Sequence, residues 1–233
     1  MFEPLKITAH MQCGIITDPF LPIDGVLYYQ VMREQLGEQI MTLPRQSYGG
    51  PVDHNLPLKQ INSHRRDWFY AASFAVWPPH TCEGTDHWNK RIDMSLIDLI
   101  DWQGKKARFD VAAGRYKSYH MPVFYRAALS VSWYVVGDKA EIARLLLFVT
   151  NLGKKTGQGW GAINRWEVES VSEDWSLWSA TGRLMRAIPS TDTAAPIYGL
   201  RPSYWLPKHQ FPCRLPSAGG RIFEYSGDPT TQR

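Results

Sequence analysis

The sequence predicts an α+β fold with the ferredoxin-like (RRM-like) order strand, helix, strand, strand, helix, strand. Three observations point to it. Residues 5 to 13 alternate between apolar and polar, two later stretches start at Asp and carry apolar residues at helical spacing, and β-rich segments lie between and after them.

In the first strand, Leu5, Ile7, Ala9, Met11 and Cys13 fall on one side and Lys6, Thr8, His10 and Gln12 on the other, the pattern of a half-buried strand. Pro19 and Pro22 break the chain. Asp24 is then placed to cap a helix whose Leu27, Tyr28, Val31 and Met32 share a face and which ends at Gly37. Residues 38 to 66 are rich in Gly, Pro, Asn and Gln and read as a long loop ending in His64, Arg65 and Arg66. DWFYAASFAVW, residues 67 to 77, reads as the second strand, stopped by Pro78 and Pro79.

Residues 79 to 120 form a large insertion, with a short helix expected around Ile92 to Trp102 and a basic, aromatic tract, GRYKSYH, at its end. The third strand is expected within Val123 to Val136, where Val131, Trp133 and Val135 alternate with Ser130, Ser132 and Tyr134. Asp138 with Glu141 three residues later starts the second helix, whose stripe is Ile142, Leu145, Leu146 and Val149. AINRWEVESV, residues 162 to 171, supplies the fourth strand. The palm thus spans 1 to 171, and a Pro- and Trp-rich extension, 172 to 233, is expected to pack on it.

The 233 residues are 44% hydrophobic and 13% aromatic, enough to bury a core. The formal charge of +4 is mild, so a polyanion would have to be met by a local basic patch. Cys13, Cys82 and Cys213 are widely spaced with no CxxC pair, which encodes neither a disulfide framework nor a zinc ribbon and makes a reducing cytoplasm the expected location. The N-terminus lacks a signal layout, and the apolar run near Ile142 to Val149 is too short to span a bilayer.

Between the second helix and the fourth strand lies NLGKKTGQGWGAI, residues 151 to 163. It is not a P-loop, because Gly153-Lys154-Lys155-Thr156 follows a helix and Phe148 occupies the position of the first glycine. Nor is it a dinucleotide fingerprint, since Gly157, Gly159 and Gly161 give GxGxG ahead of a strand. A plain connector needs only one glycine in the left-handed conformation, so the surplus points to close approach of an anionic backbone, with Lys154, Lys155, Thr156 and Gln158 as its contacts. Trp160 is placed either to stack on a base or to pack at the core edge.

The motif GKKTGQGWGAI in this position resembles the glycine-rich loop of the RAMP superfamily of CRISPR-associated RNA-binding proteins, and the opening PFLPIDGVLYY is similar to the family's turn into its first helix. Within the superfamily, the chain most resembles the subunit that caps the 5′ handle of the crRNA in type IV effector complexes. YGLRPSYWLP, residues 198 to 207, is similar to family C-terminal stretches. The resemblance implies a RAMP palm, a thumb-like insertion gripping the handle, filament-forming RAMP backbone subunits and a large-type subunit as partners, and target DNA nearby.

Single-stranded RNA is held by cations on phosphates and by aromatic or guanidinium planes on bases. The tract Arg115, Tyr116, Lys117, Tyr119 and His120 supplies both kinds of group, or is a solvated strand edge; Arg65 and Arg66 carry the same two readings. His80, Cys82 and His87 lack the second half of a zinc site. No cofactor is expected. The competing function is a metal-independent endoribonuclease that processes precursor crRNA with groups drawn from His64, His120, Tyr116 and Lys117. A free-standing RNA-binding regulator is the third.

Overall fold

The computed structural model describes residues 1–18, 20–37, 39, 55–62, 64–99, 110–112, 117–216 and 222–223. Among these residues there are two α-helices, and the strands pair almost entirely antiparallel, which makes the protein α+β.

β1 (Phe2–Met11) is an inner strand of the main sheet. It pairs antiparallel with β7 (Ser130–Asp138), from Phe2↔Asp138 to His10↔Ser130, and on its other edge with β8 (Ile163–Ser170), from Leu5↔Ser170 to Met11↔Ile163. The two-residue strands β4 (Val76–Trp77) and β12 (Ile222–Phe223) extend the sheet beyond β7, giving the order β12-β4-β7-β1-β8.

The alternation read in the first strand is the burial pattern observed: Leu5, Ile7 and Ala9 are fully buried. They pack with Val131, Trp133 and Val135 of β7 under α1 (Ile23–Leu36) and α2 (Lys139–Leu146), whose Ile23, Leu27, Ile142, Leu145 and Leu146 complete one core. The α2 start forms as the sequence indicates, with the Asp138 carboxylate accepting from Glu141 N at 3.2 Å. The α1 start does not. Pro22 takes the cap position with no side-chain bond, while Asp24 sits inside the first turn and is fully buried, where its Oδ1 accepts from the Tyr204 hydroxyl at 2.5 Å.

The expected second strand, 67 to 77, divides. β3 (Phe69–Tyr70) pairs with β2 (Gln60–Ile61), Ala72 bridges to Val135, Phe74 bridges to Pro22, and only then does β4 join the main sheet. Every residue from Phe69 to Trp77 is buried, and the small residues among them, Ala71, Ala72, Ser73 and Ala75, let the chain change partners without leaving the core. Ser73 secures the crossing, its Oγ accepting from Tyr134 N at 2.9 Å and donating to Phe74 O at 2.8 Å.

The expected third strand is also two. β6 (Tyr119–Ala127) leaves the sheet to pair with β5 (Cys82–Lys90), and β7 begins only after Ala128 and an exposed Leu129. β5 and β6 form a separate two-stranded ribbon. The helix expected at 92 to 102 appears as a 3-10 segment, Met94–Leu99, and the residues from Ile100 to Phe109 lie outside those described.

The C-terminal extension folds into a three-stranded sheet ordered β10 (Ile197–Gly199), β11 (Gln210–Arg214), β9 (Ile188–Pro189). Its Met185, Ala187, Leu200 and Cys213 build a second core with Phe69, Phe74, Val76 and Tyr134. The link is Arg186, 1% exposed: it donates to Tyr70 O, to Ala72 O at 2.8 Å and to Leu200 O at 2.7 Å, and stands 3.6 Å from Asp24. Burial pushes the Asp24 carboxyl up, opposed by the charge of Arg186 and the hydroxyl of Tyr204.

Candidate nucleic-acid interface

The glycine-rich loop is closed at its base and open at its tip. Leu152 N donates to Gly161 O at 2.8 Å and Ile163 N to Thr150 O at 2.9 Å, so the two ends are zipped together. Gly161 has φ +71°, and a Cβ there would meet Leu152 O at 1.8 Å; Gly153 has φ +81° and its Cβ would meet Ile16 O at 2.4 Å. Both positions therefore demand glycine. They bring the loop onto the segment after β1, where Lys154 N donates to Ile16 O at 2.6 Å and Gly161 N to Gly14 O at 2.8 Å.

Cys13 completes this seam. Its thiol donates to Gly159 O at 3.1 Å and accepts from Ala162 N at 3.2 Å. At the tip, Thr156–Gln158 forms a 3-10 turn between Lys155 (φ 60°) and Gly159 (φ 90°), and a Cβ at Gly157 or Gly159 would meet nothing within 4 Å. Two glycines thus lock the loop, while two leave its exposed crest without side chains, with Thr156 and Gln158 beside them.

The ribbon stands against this loop. Tyr125 of β6 packs on Trp160 with ring centroids 5.0 Å apart, and Gly14 passes between them, its Cβ position 3.0 Å from Tyr125 and 3.1 Å from Trp160. Trp160 thus packs on Tyr125 at the loop's base and is half-buried there. Lys155 Nζ lies 3.7 Å from the centroid of Trp88 on β5. Trp88 stacks beside Tyr119, 5.9 Å between centroids and 17° between planes, and Lys90 and Lys117 stand 5.5 and 6.0 Å from the Tyr119 ring. The ladder pairs Trp88 with Met121 and Lys90 with Tyr119, so these side chains share one ribbon face, continuous with the loop.

Lys154 is exposed and paired with Asp18 at 2.6 Å, an ion pair between solvated groups that a phosphate can displace. His120 falls on the other ribbon face, where its Nδ1 lies 2.5 Å from Asn89 Oδ1 and its ring stacks on His87 at 4.4 Å. Arg115 and Tyr116 lie outside the described residues. Arg65 and Arg66 line a separate cleft with His64 against the C-terminal extension, so they do not join the loop. Cys82 and His87 are both exposed, and no group of three or more His, Cys, Asp or Glu among the described residues is placed to hold a metal.

Trp88 and Lys90, which the structure brings to this face, were not singled out by motif reading. CEGTDHWNK is a strand in the structure, which puts Trp88 and Lys90 on one side, but its nearly all-polar residues carry no apolar alternation from which that strand could be read.

A basic, glycine-crested loop is seated against an aromatic ribbon on an α+β scaffold. The chain belongs to the type IV CRISPR-associated Csf3 family, whose model matches residues 3–216, and with it to the RAMP-like subunits of type IV systems. Membership implies a place in a multi-subunit complex. No curated protein matches the chain. No helix among the described residues is long and apolar enough to cross a membrane.

Proposed function

We propose that this chain is the non-catalytic crRNA-binding subunit that caps the 5′ handle of the guide in a cytoplasmic type IV effector complex and helps it recognise target DNA. The scaffold is read as a ferredoxin-like palm: the order β8-β1-β7-β4, antiparallel throughout with α1 and α2 on one face, is that of a βαββαβ domain. The ribbon is the thumb. Filament-forming RAMP backbone subunits and a large-type subunit are its protein partners in this reading.

The observation that carries the proposal is the junction of Lys155 with Trp88. It joins a loop crest opened by Gly157 and Gly159, which a sugar-phosphate backbone can approach closely, to a row of aromatic planes and ammonium groups suited to unstacked bases and phosphates.

The test is guide-RNA binding across a salt series for the Lys154→Ala, Lys155→Ala double variant. Each lost phosphate contact on a single strand lowers the slope of log K against log salt by about 0.7, so a loss of about 1.4 is expected. An unchanged slope with unchanged affinity contradicts the assignment of the loop.

A further inference from the structure

We propose a second phosphodiester-binding site, distinct from the glycine loop, in the cleft between the turn that joins β2 to β3 and the C-terminal extension. The cleft has a volume of about 550 Å³, and five basic side chains line it: His64, Arg65, Arg66, Arg201 and Lys208. Trp68, Pro207 and Phe211 provide apolar walls, which lower the local dielectric and concentrate the field of the cations.

The cations differ in how they are held. Arg201 is 7% exposed and fixed, donating to Arg66 O at 3.0 Å and Trp68 O at 3.1 Å with its guanidinium 4.5 Å over the Trp68 ring. Arg65 is engaged by Asp67 at 3.0 Å. Arg66 and Lys208 are exposed, and neither forms an ion pair with a described residue. Among the described residues no acidic side chain lines the cleft itself; Asp67 offsets Arg65 from its edge, and the remaining cations leave an excess of positive charge. Next to Lys208, His209 is 1% exposed, and neither ring nitrogen has a hydrogen-bond partner among the described residues. Burial first, then the charges of Arg201 and Lys208, hold its pKa down.

The cleft shares no lining residue with the loop or the ribbon face, and the segments that carry the two sites are anchored at different points along β7. The β2 and β3 segments attach near the end of β7, with Lys59 N donating to Val136 O, whereas the loop region attaches at its start, with Met11 N donating to Leu129 O. Seven residues of strand separate these anchors, roughly 20 Å. A strand held in the cleft is therefore a different segment from the one at the loop crest, either a distant stretch of the guide or DNA.

The test uses the purified full-length chain with the Arg66→Glu, Lys208→Glu double variant, probed by single-stranded RNA, single-stranded DNA and duplex DNA oligonucleotides of about 20 units across a salt series. Arg201 is left intact because it holds the fold, and unfolding midpoints confirm that the variant is as stable as the parent. The expected result is at least a tenfold loss of affinity at low salt for one or more probes and a shallower slope by about two contacts. The probe most affected names the strand. The Lys154→Ala, Lys155→Ala variant must keep this component of binding, which separates the failure of one site from failure of the other. Unchanged affinity and slope for all three probes overturn the proposal, including the case in which the variant instead loses a protein partner.

Discussion

Gly161 shows what the loop's glycines do individually. Its left-handed backbone and the 1.8 Å approach of a Cβ to Leu152 O leave no room for a side chain, whereas Gly157 faces open space at an ordinary φ. Gly161→Ala is expected to cost more than about 1 kcal/mol through strain and the broken base of the loop, and Gly157→Ala to fall within about 0.5 kcal/mol of the parent. Paired urea denaturation curves measure both; equal effects at the two positions would refute the division into locking and crest glycines. The surplus of glycines and the two lysines were legible in the sequence. Which glycines were structural was not, because that depends on Ile16, Gly14 and Cys13, more than a hundred residues away.

At the scale of elements, α2 was legible almost to its ends because its cap and its stripe are local signals. The strand series was less so. Residues 119 to 138 look like one β-rich run, yet Leu129 separates a ribbon strand from a sheet strand, and only the choice of partner reveals it. Asp24 was misplaced for a related reason: an Asp before an apolar stripe resembles a cap, but here Arg186 and Tyr204 from the distant extension claim its carboxylate. The two helices are tied by Arg144, which donates to Glu34 at 2.6 and 2.9 Å and to Glu141 at 2.6 and 2.9 Å. These bonds lower the pKa of both carboxyls below their ordinary 4.5. Groups with depressed folded-state values contribute stability above the unfolded value and lose it as pH falls through the folded one. The parent should therefore lose more stability than Arg144→Ala between pH 5 and pH 3, by a small margin since the groups are solvated. Parallel pH profiles of the two proteins would contradict this.

At the scale of the whole molecule, the C-terminal segment is structurally joined to the unit built on the main sheet. Arg186 joins α1, the β3 to β4 segment and the extension through one guanidinium. Arg186→Met leaves Asp24 buried without its counter-charge and is expected to cost about 3–5 kcal/mol, with part of that recovered by adding Asp24→Asn. Equilibrium unfolding of the single and double variants checks it; a single variant within 1 kcal/mol of the parent would show that the link is dispensable.

The fold and the loop together position one continuous face, from the crest at Thr156–Gln158 through Lys155 and Trp88 to Tyr119. Crosslinking the assembled complex with 4-thiouridine in the 5′ handle of its guide tests that face most directly. Adducts are expected on the loop crest and on the Trp88 and Tyr119 side of the ribbon; adducts confined to the C-terminal extension, with none on loop or ribbon, would contradict the account.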